Sequence, residues 1–378
     1  MYYGRKVQKM RGCSRKRAKS GQNVKLRLII AAGLLFISAA LMIAAARAQG
    51  FADWYAKTVY PLFVTTAGRM WGIFPFSVSE AILYILIAVF FVSLVVLAVR
   101  LIRAWSAELL VSWSSMVVLT AGILAFLYVL CCGINYQRTS FSQEAQIVTY
   151  SYSVEELEEI CLWLTDEVNS IAEEVERDSG DVMRLCSPEG EGAVEAMRSL
   201  AEEFPQLAGY YPLPKKLSIS EILSYQGLTG IYSPFTVEAN YNGDMTAYNI
   251  PFTACHELSH LRGFMQEEEA NFIAFLACIG SERVDFRYSG YLSGWVYCMN
   301  ALYRSDHERW SRIRPLLDES VEADLAANNA FWEKYEGTLS EMADRVNDTY
   351  LKANGQADGV QSYNRMVDLI VAYFCDSY

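Results

Sequence analysis

The pattern of apolar and polar positions divides this chain of 378 residues into two unlike parts. Toward the N-terminus, three unbroken apolar runs stand out: Leu28–Ala46, Ala81–Val99 and Met116–Ile134. Each approaches the roughly 20 residues a helix needs to cross a bilayer, and no charge falls inside any of them. From about position 135 onward the apolar residues recur with a helical period instead. Leu157, Ile160, Leu164, Val168, Ile171 and Val175 mark one face of a helix expected over 154–177, and Ser153 with Glu156 supplies its capping box. A shorter helix, "AVEAMRSLAEEF", is stopped by Pro205. The stretch "LTGIYSPFTVEANYN" is rich in β-branched and aromatic residues and is the best strand candidate. Further helices are expected over about 310–330, 331–352 and 362–375. The aromatic segment 51–76, broken by Pro61 and Pro75, reads as interfacial or re-entrant rather than as a fourth span. These patterns predict an α+β protein that is mainly α. A tail over 1–27 leads into a membrane domain over 28–138 with three transmembrane helices, and a domain with a small sheet fills 139–378.

Composition fits that division: 53% of the residues are hydrophobic, above the level of ordinary soluble domains. The 43 acidic residues outnumber 32 basic ones, yet residues 1–27 carry ten Lys/Arg and no acid. A basic tail on an acidic body can signal nucleic acid. Here the tail runs straight into the first span, and the positive-inside rule accounts for it, so no nucleic-acid partner is expected. Arg100 and Arg103 follow the second span as a cytoplasmic loop would require. The expected location is thus a multi-pass protein of the cell membrane, N-terminus cytoplasmic, with the chain beyond 135 extracytoplasmic. Ala46–Arg47–Ala48 has the form of a signal-peptidase site, but the apolar core before it is long for a signal peptide, and the span is expected to be retained. Nine cysteines show no paired spacing and suggest neither a zinc knuckle nor a disulfide framework.

The candidate chemistry lies in "ACHELSHLRGFMQEEEANF", which holds two of the chain's three histidines. Asn249 as cap, Pro251 in the first turn and Gly263 past the end predict a helix. On it His256 and His260 stand four apart, so both imidazoles project from one face and can share one Zn²⁺. Glu257 sits at the edge of that face, placed to act on a water at the metal without ligating it. Catalytic zinc takes three protein ligands and keeps one position open. The third ligand must come from the helix "QEEEANFIAFLACIG". Acids in a first turn also stabilise the helix dipole, which alone would explain three glutamates. The sharper reading is Glu267 as ligand with Asn271 one turn later, accepting from the free ring N–H of a ligating histidine; Glu269 is the alternative ligand. "IYSPFTVEAN" is the segment placed to serve as an edge strand for extended substrate. His307 and Tyr363 are candidate donors to the oxyanion, although a surface role is the more ordinary one for His307.

"HELSH" followed by "EEEANFIAF" resembles the gluzincin zinc peptidases, whose third ligand is a glutamate opening a following helix. Among these are the membrane heat-shock and CAAX-type peptidases and the phage-immunity group. The blocks "GIYSPFTVEANYN", "IPFTACHELSHLRGFMQEEEANFIAFLAC" and "YLKANGQADGVQSYNRMVDLI", with the three-span half, are similar over nearly the full length to a bacterial family of multi-span membrane proteins held to be zinc peptidases. The gap of six residues between His260 and Glu267 is shorter than in most gluzincins. The resemblance implies a zincin-like domain and one Zn²⁺ on His256, His260 and Glu267. The expected function is a membrane-anchored zinc metallopeptidase acting on a peptide or protein. The competing expectations are a zinc-binding pseudoenzyme serving as envelope sensor or scaffold, and a zinc amidase acting on cell-wall peptide.

Overall fold

The computed structural model describes residues 2–186 and 189–375, without the side chains of residues 2–20 and of Asn364. The basic residues among the first 20 therefore lie outside the described side chains. Among the described residues, three helices are long and apolar enough to cross a membrane. They are Gly21–Arg47 within helix α1 (Tyr2–Arg47), helix α3 (Val78–Arg103) and helix α4 (Ala107–Cys131). The third ends sooner than its hydrophobicity suggests. Cys132 leaves helical geometry at φ −143°, and Gly133–Gln137 forms a 3₁₀ turn in which Ile134 is wholly buried. That terminal apolar residue fills protein core instead of spanning. Between the first two spans, a short helix Phe51–Trp54, a π turn Tyr55–Val59 and helix α2 (Tyr60–Gly72) replace any fourth span. Helices α1 and α4 run side by side in the same direction. A Cβ on Gly122 would meet the Ala31 backbone at 3.4 Å, and one on Gly133 would meet Met42 Sδ at 3.0 Å.

Beyond the spans, helix α5 (Val154–Ala172) starts at Ser153 with both bonds of the capping box formed, and ends five residues before the expected 177. Helix α6 (Glu189–Glu203) follows. The strand candidate is a hairpin. Strands β2 (Gly230–Ser233) and β3 (Glu238–Tyr241) pair antiparallel around the turn at Pro234, and β1 (Lys215–Lys216) pairs parallel with β3 on its other side. The order β1-β3-β2 leaves β2 at an edge. The sheet is tied to the start of α3. Glu238 accepts from the Val78 and Ser79 amides at 3.2 and 2.7 Å and pairs with buried Lys215 at 2.5 Å. In return, Glu80 accepts from the Ser218 and Ile219 amides at 2.8 and 2.9 Å.

Helices α7 (Asn249–Leu261), α8 (Glu267–Ile279) and α9 (Val284–Ser305) form the centre of the domain. The sequence pattern left 284–305 without an element, because two glycines and several serines weaken its helical signature. Those glycines are required by packing: a Cβ on Gly290 would lie 2.6 Å from Cys278 Cβ, and one on Gly294 2.5 Å from the Phe275 ring. The core around them is aromatic, with Phe264, Phe272, Phe275 and Phe286 fully buried. Each such ring contributes roughly 1.5–3 kcal/mol of burial. Toward the C-terminus follow α10 (His307–Ile313), α11 (Glu319–Glu333), α12 (Thr338–Ala353) and α13 (Met366–Cys375). The single helix expected over 310–330 is split at the 3₁₀ turn Arg314–Leu316, where Pro315 cannot continue α10.

Candidate metal centre

Helix α7 is buried along its whole length from Ile250 to Leu261, so its histidines have no solvent face to occupy. Its ends differ in part from expectation. Gly263 terminates it at φ +90°, a left-handed conformation that favours glycine. Asn249 is not its cap: the residue is already helical, and its amide donates to Thr246 and Asn328 at 2.7 and 2.8 Å. The turn 262–266 then sends α8 back beside α7.

That reversal brings three ligand atoms together. Glu267 Oε2 lies 3.2 Å from His256 Nε2 and 3.5 Å from His260 Nε2, and the three groups' donor atoms all fall within 4.8 Å of one another. Tetrahedral zinc with bonds of about 2.0–2.1 Å sets its ligands about 3.3–3.4 Å apart, so the two Glu267–histidine separations suit one such ion. All three residues are buried, at 8%, 8% and 7% exposure, yet Glu267 Oε2 receives no well-directed hydrogen bond, its polar neighbours being the two imidazole nitrogens. A buried carboxylate oxygen without a donor is costly unless a cation satisfies it. His260 is oriented for this: its Nδ1 meets the Phe264 carbonyl at 2.8 Å, which places the proton on Nδ1 and turns the Nε2 lone pair toward Glu267.

The electrostatics follow from burial and close charges. Burial opposes a charge on His260, but the Glu267 carboxylate outweighs it and pushes the imidazole up to about 9. Burial likewise opposes the Glu267 charge, and His260 and His256 hold that carboxyl far below its ordinary range. At His256 burial prevails and lowers the pKa. Each of the two groups thus favours the charged form of the other, and a divalent cation bound beside Glu267 would take the place of the His260 proton.

Glu257 faces the same space and is 3% exposed; its Oε2 has no partner. Burial pushes its pKa up to about 8, with Glu267 adding to the shift and His260 opposing it. Its other oxygen lies against Gly230 of the edge strand β2, where an added Cβ would stand 2.8 Å from Glu257 Cγ and from Thr253 Cγ2. Only a glycine leaves room there for the carboxylate.

The three glutamates of α8 have three separate tasks. Glu267 alone joins the histidines. Glu268 pairs with Arg365 at 2.9 Å and with Gln356 at 2.6 Å. Glu269 accepts from the Ser142 amide at 2.9 Å and its hydroxyl at 2.6 Å, which commits it to the short helix Phe141–Glu144. Asn271 lies beside His256 and favours its charged form, but its amide donates to Tyr297 at 3.3 Å, and His256 Nδ1 has no hydrogen-bond partner. The Asn271 amide oxygen is left free by that bond, on the residue that favours a charged His256 as an acceptor would.

Tyr363 and His307 separate. Tyr363, in the 3₁₀ turn Gly359–Arg365, is pushed well above its ordinary pKa by burial and then by the charges of Glu267 and Glu257, so its phenol stands within electrostatic reach of the site. His307 is outside it. The ring is exposed at the start of α10 and stacks on Trp310 at 5.2 Å with Tyr303 against its edge, so it cannot donate to an oxyanion at the buried cluster. Tyr297 was not singled out in the sequence. It comes from α9, and burial and the Glu267 charge push it up to about 12. One of 24 tyrosines on a helix with a weak signature gives no signal of its own.

A family model described as "Protein of unknown function (DUF3810)" matches residues 55–371, and the chain belongs to that family. No curated protein and no solved structure matches the chain.

Proposed function

We propose that this member of the DUF3810 family is a membrane-anchored zinc metallopeptidase whose catalytic domain lies outside the cytoplasm. The observation that carries the reading is the coincidence of a three-ligand cluster with a fourth buried carboxylate, Glu257, that has an unpartnered oxygen beside it. His256, His260 and Glu267 would hold one Zn²⁺, which supplies Lewis acidity to the substrate carbonyl and lowers the pKa of water. Glu257 takes a proton from the attacking water and delivers it to the leaving amine. The edge of β2 offers a place for extended substrate. The Thr229 carbonyl accepts from the Asn242 amide at 2.7 Å, on the β3 side, so by alternation the backbone groups of Gly230 face the free edge directly over Glu257. Tyr297 and Tyr363 are hydroxyl donors near the cluster.

One observation favours a second reading, a zinc-stabilised sensor or scaffold: the four site residues are all nearly inaccessible. Structural zinc has no use for a general base, however, and a buried carboxyl with an unpartnered oxygen is costly to retain without a proton to handle. The test is metal analysis of the purified full chain in detergent, together with cleavage of a peptide library by the native protein and by Glu257→Gln. One zinc per chain with cleavage that depends on Glu257 supports the peptidase; zinc with no such cleavage leaves the scaffold.

A further inference from the structure

We infer that the substrate is a polypeptide anchored in the same membrane and cut in an extended stretch beside its own anchor. This rests on the hydrolase reading above and adds the substrate class. The observations are contacts that fasten both halves of the site to the ends of the membrane-spanning helices. The turn joining the two ligand helices carries Met265, whose Sδ lies 3.8 Å from the thiol of Cys132, the residue capping span α4. Next to it, the Gln266 amide donates to the Tyr136 carbonyl at 3.3 Å, in the turn that follows the span. The edge strand is fastened at the same place: the Tyr232 hydroxyl donates to the Cys131 carbonyl at 3.0 Å. Tyr60 joins the two attachments, donating to the Leu261 carbonyl of α7 at 3.0 Å with its oxygen 2.9 Å from that of Tyr232. At the far side of the sheet, Glu238 and Glu80 fasten the strands to the first turn of span α3.

These attachments set the height of the site. Gly133, one residue past Cys132, packs against Met42 of α1, and Met42 belongs to the apolar run that precedes Arg47. Its neighbour Ile43 is 64% exposed, as a lipid-facing side chain would be. The end of α4 is therefore level with the apolar part of α1, and Met265 and Tyr232 rest on it. Gly230, over the general base, is two residues along β2 from Tyr232, or about 7 Å at the rise of a strand. A chain extended along β2 would thus run between the general base and the bilayer surface.

Such a position favours a tethered substrate. A segment a few residues from its own anchor is confined to the layer in which β2 lies, at an effective concentration that falls as the spacer lengthens. A soluble peptide gains nothing from the site's height and has to reach the strand past the bilayer. On this account the spans hold the catalytic domain down against the bilayer surface as well as retaining it in the membrane.

The test uses the full chain with zinc in liposomes. The probes are a library of randomised extended segments presented in three ways: next to a single transmembrane helix through a spacer of about 5 residues, through one of about 40, and free in solution. Cleavage of the short-spacer set should exceed that of the other two by about tenfold or more, and Glu257→Gln should abolish it. Equal, Glu257-dependent cleavage of soluble and tethered segments, or rates indifferent to spacer length, would overturn the inference and leave the hydrolase standing. If no set is cut in a Glu257-dependent manner, the hydrolase reading fails and this inference fails with it.

Discussion

Gly230 of the edge strand and Glu257 of the metal helix occupy one another's space: where any other residue would place a Cβ, the structure has the glutamate side chain. The contact joins the element that can bind an extended chain to the group that can move a proton. Gly230→Ala should therefore push Glu257 away while leaving the ligands in place. The expected result is normal zinc content with hydrolysis reduced by about 10²-fold, the lower end of what a misplaced general base costs. Full activity in this variant would show that Glu257 works from another position.

The ligand set predicts a sharp division among the glutamates of α8. His256→Ala, His260→Ala and Glu267→Gln should each lose stoichiometric zinc, measured by metal analysis of purified protein. Glu269→Gln should keep its zinc and lose stability by about 1.5–3 kcal/mol, because the charged hydrogen bonds to Ser142 are weakened. Loss of zinc from Glu269→Gln with zinc retained in Glu267→Gln would reverse the assignment.

The buried pair Lys215–Glu238 predicts a stability effect remote from the chemistry. Glu238→Ala leaves the Lys215 ammonium buried without its carboxylate, and it leaves the Val78 and Ser79 amides without an acceptor. Thermal unfolding in detergent should show a loss of about 3–5 kcal/mol, the usual consequence of breaking one half of a buried pair. Replacing both residues by apolar ones of similar volume should cost less than Glu238→Ala alone.

Topology is checked more directly. If the N-terminal lysines and arginines fix the orientation, a reporter fused after Tyr378 will be active outside the cytoplasm and silent within it. Cytoplasmic activity would reverse the sidedness proposed for the whole domain.

How much of this was legible in the sequence varied with the range of the interaction involved. The three spans, the capping box at Ser153 and the glycine after the metal helix are local patterns, and each appeared close to its expected place. His256 and His260 were legible because a helix fixes the relation of residues four apart. Glu267 and Glu269 could not be separated, since both open the same helix; what divides them is Ser142, which lies 127 residues away and claims Glu269. Helix α9 was missed for a similar reason. Gly290 and Gly294 read as helix-weakening residues until Cys278 and Phe275 show why nothing larger fits. Tyr297 became visible only with that helix. The fit of Gly230 to Glu257 also depends on a strand-to-helix contact that no spacing rule encodes.

The decisive variant is Glu257→Gln, because it separates catalysis from metal binding with the smallest change in shape. Glutamine keeps the length and most of the hydrogen-bonding capacity of the side chain but cannot accept a proton. Glu257 is not among the ligands, so zinc content should be unchanged. Stability should be nearly unchanged, since burial already favours the neutral form of Glu257 and glutamine is a neutral group of the same shape. Hydrolysis should fall by roughly 10² to 10⁴, the usual worth of general acid–base catalysis. A cell carrying only this variant should then resemble one lacking the protein. If the variant instead binds zinc, folds and restores every phenotype of the deletion, hydrolysis is dispensable, and the metal serves to hold α7 against α8 above the ends of the spans.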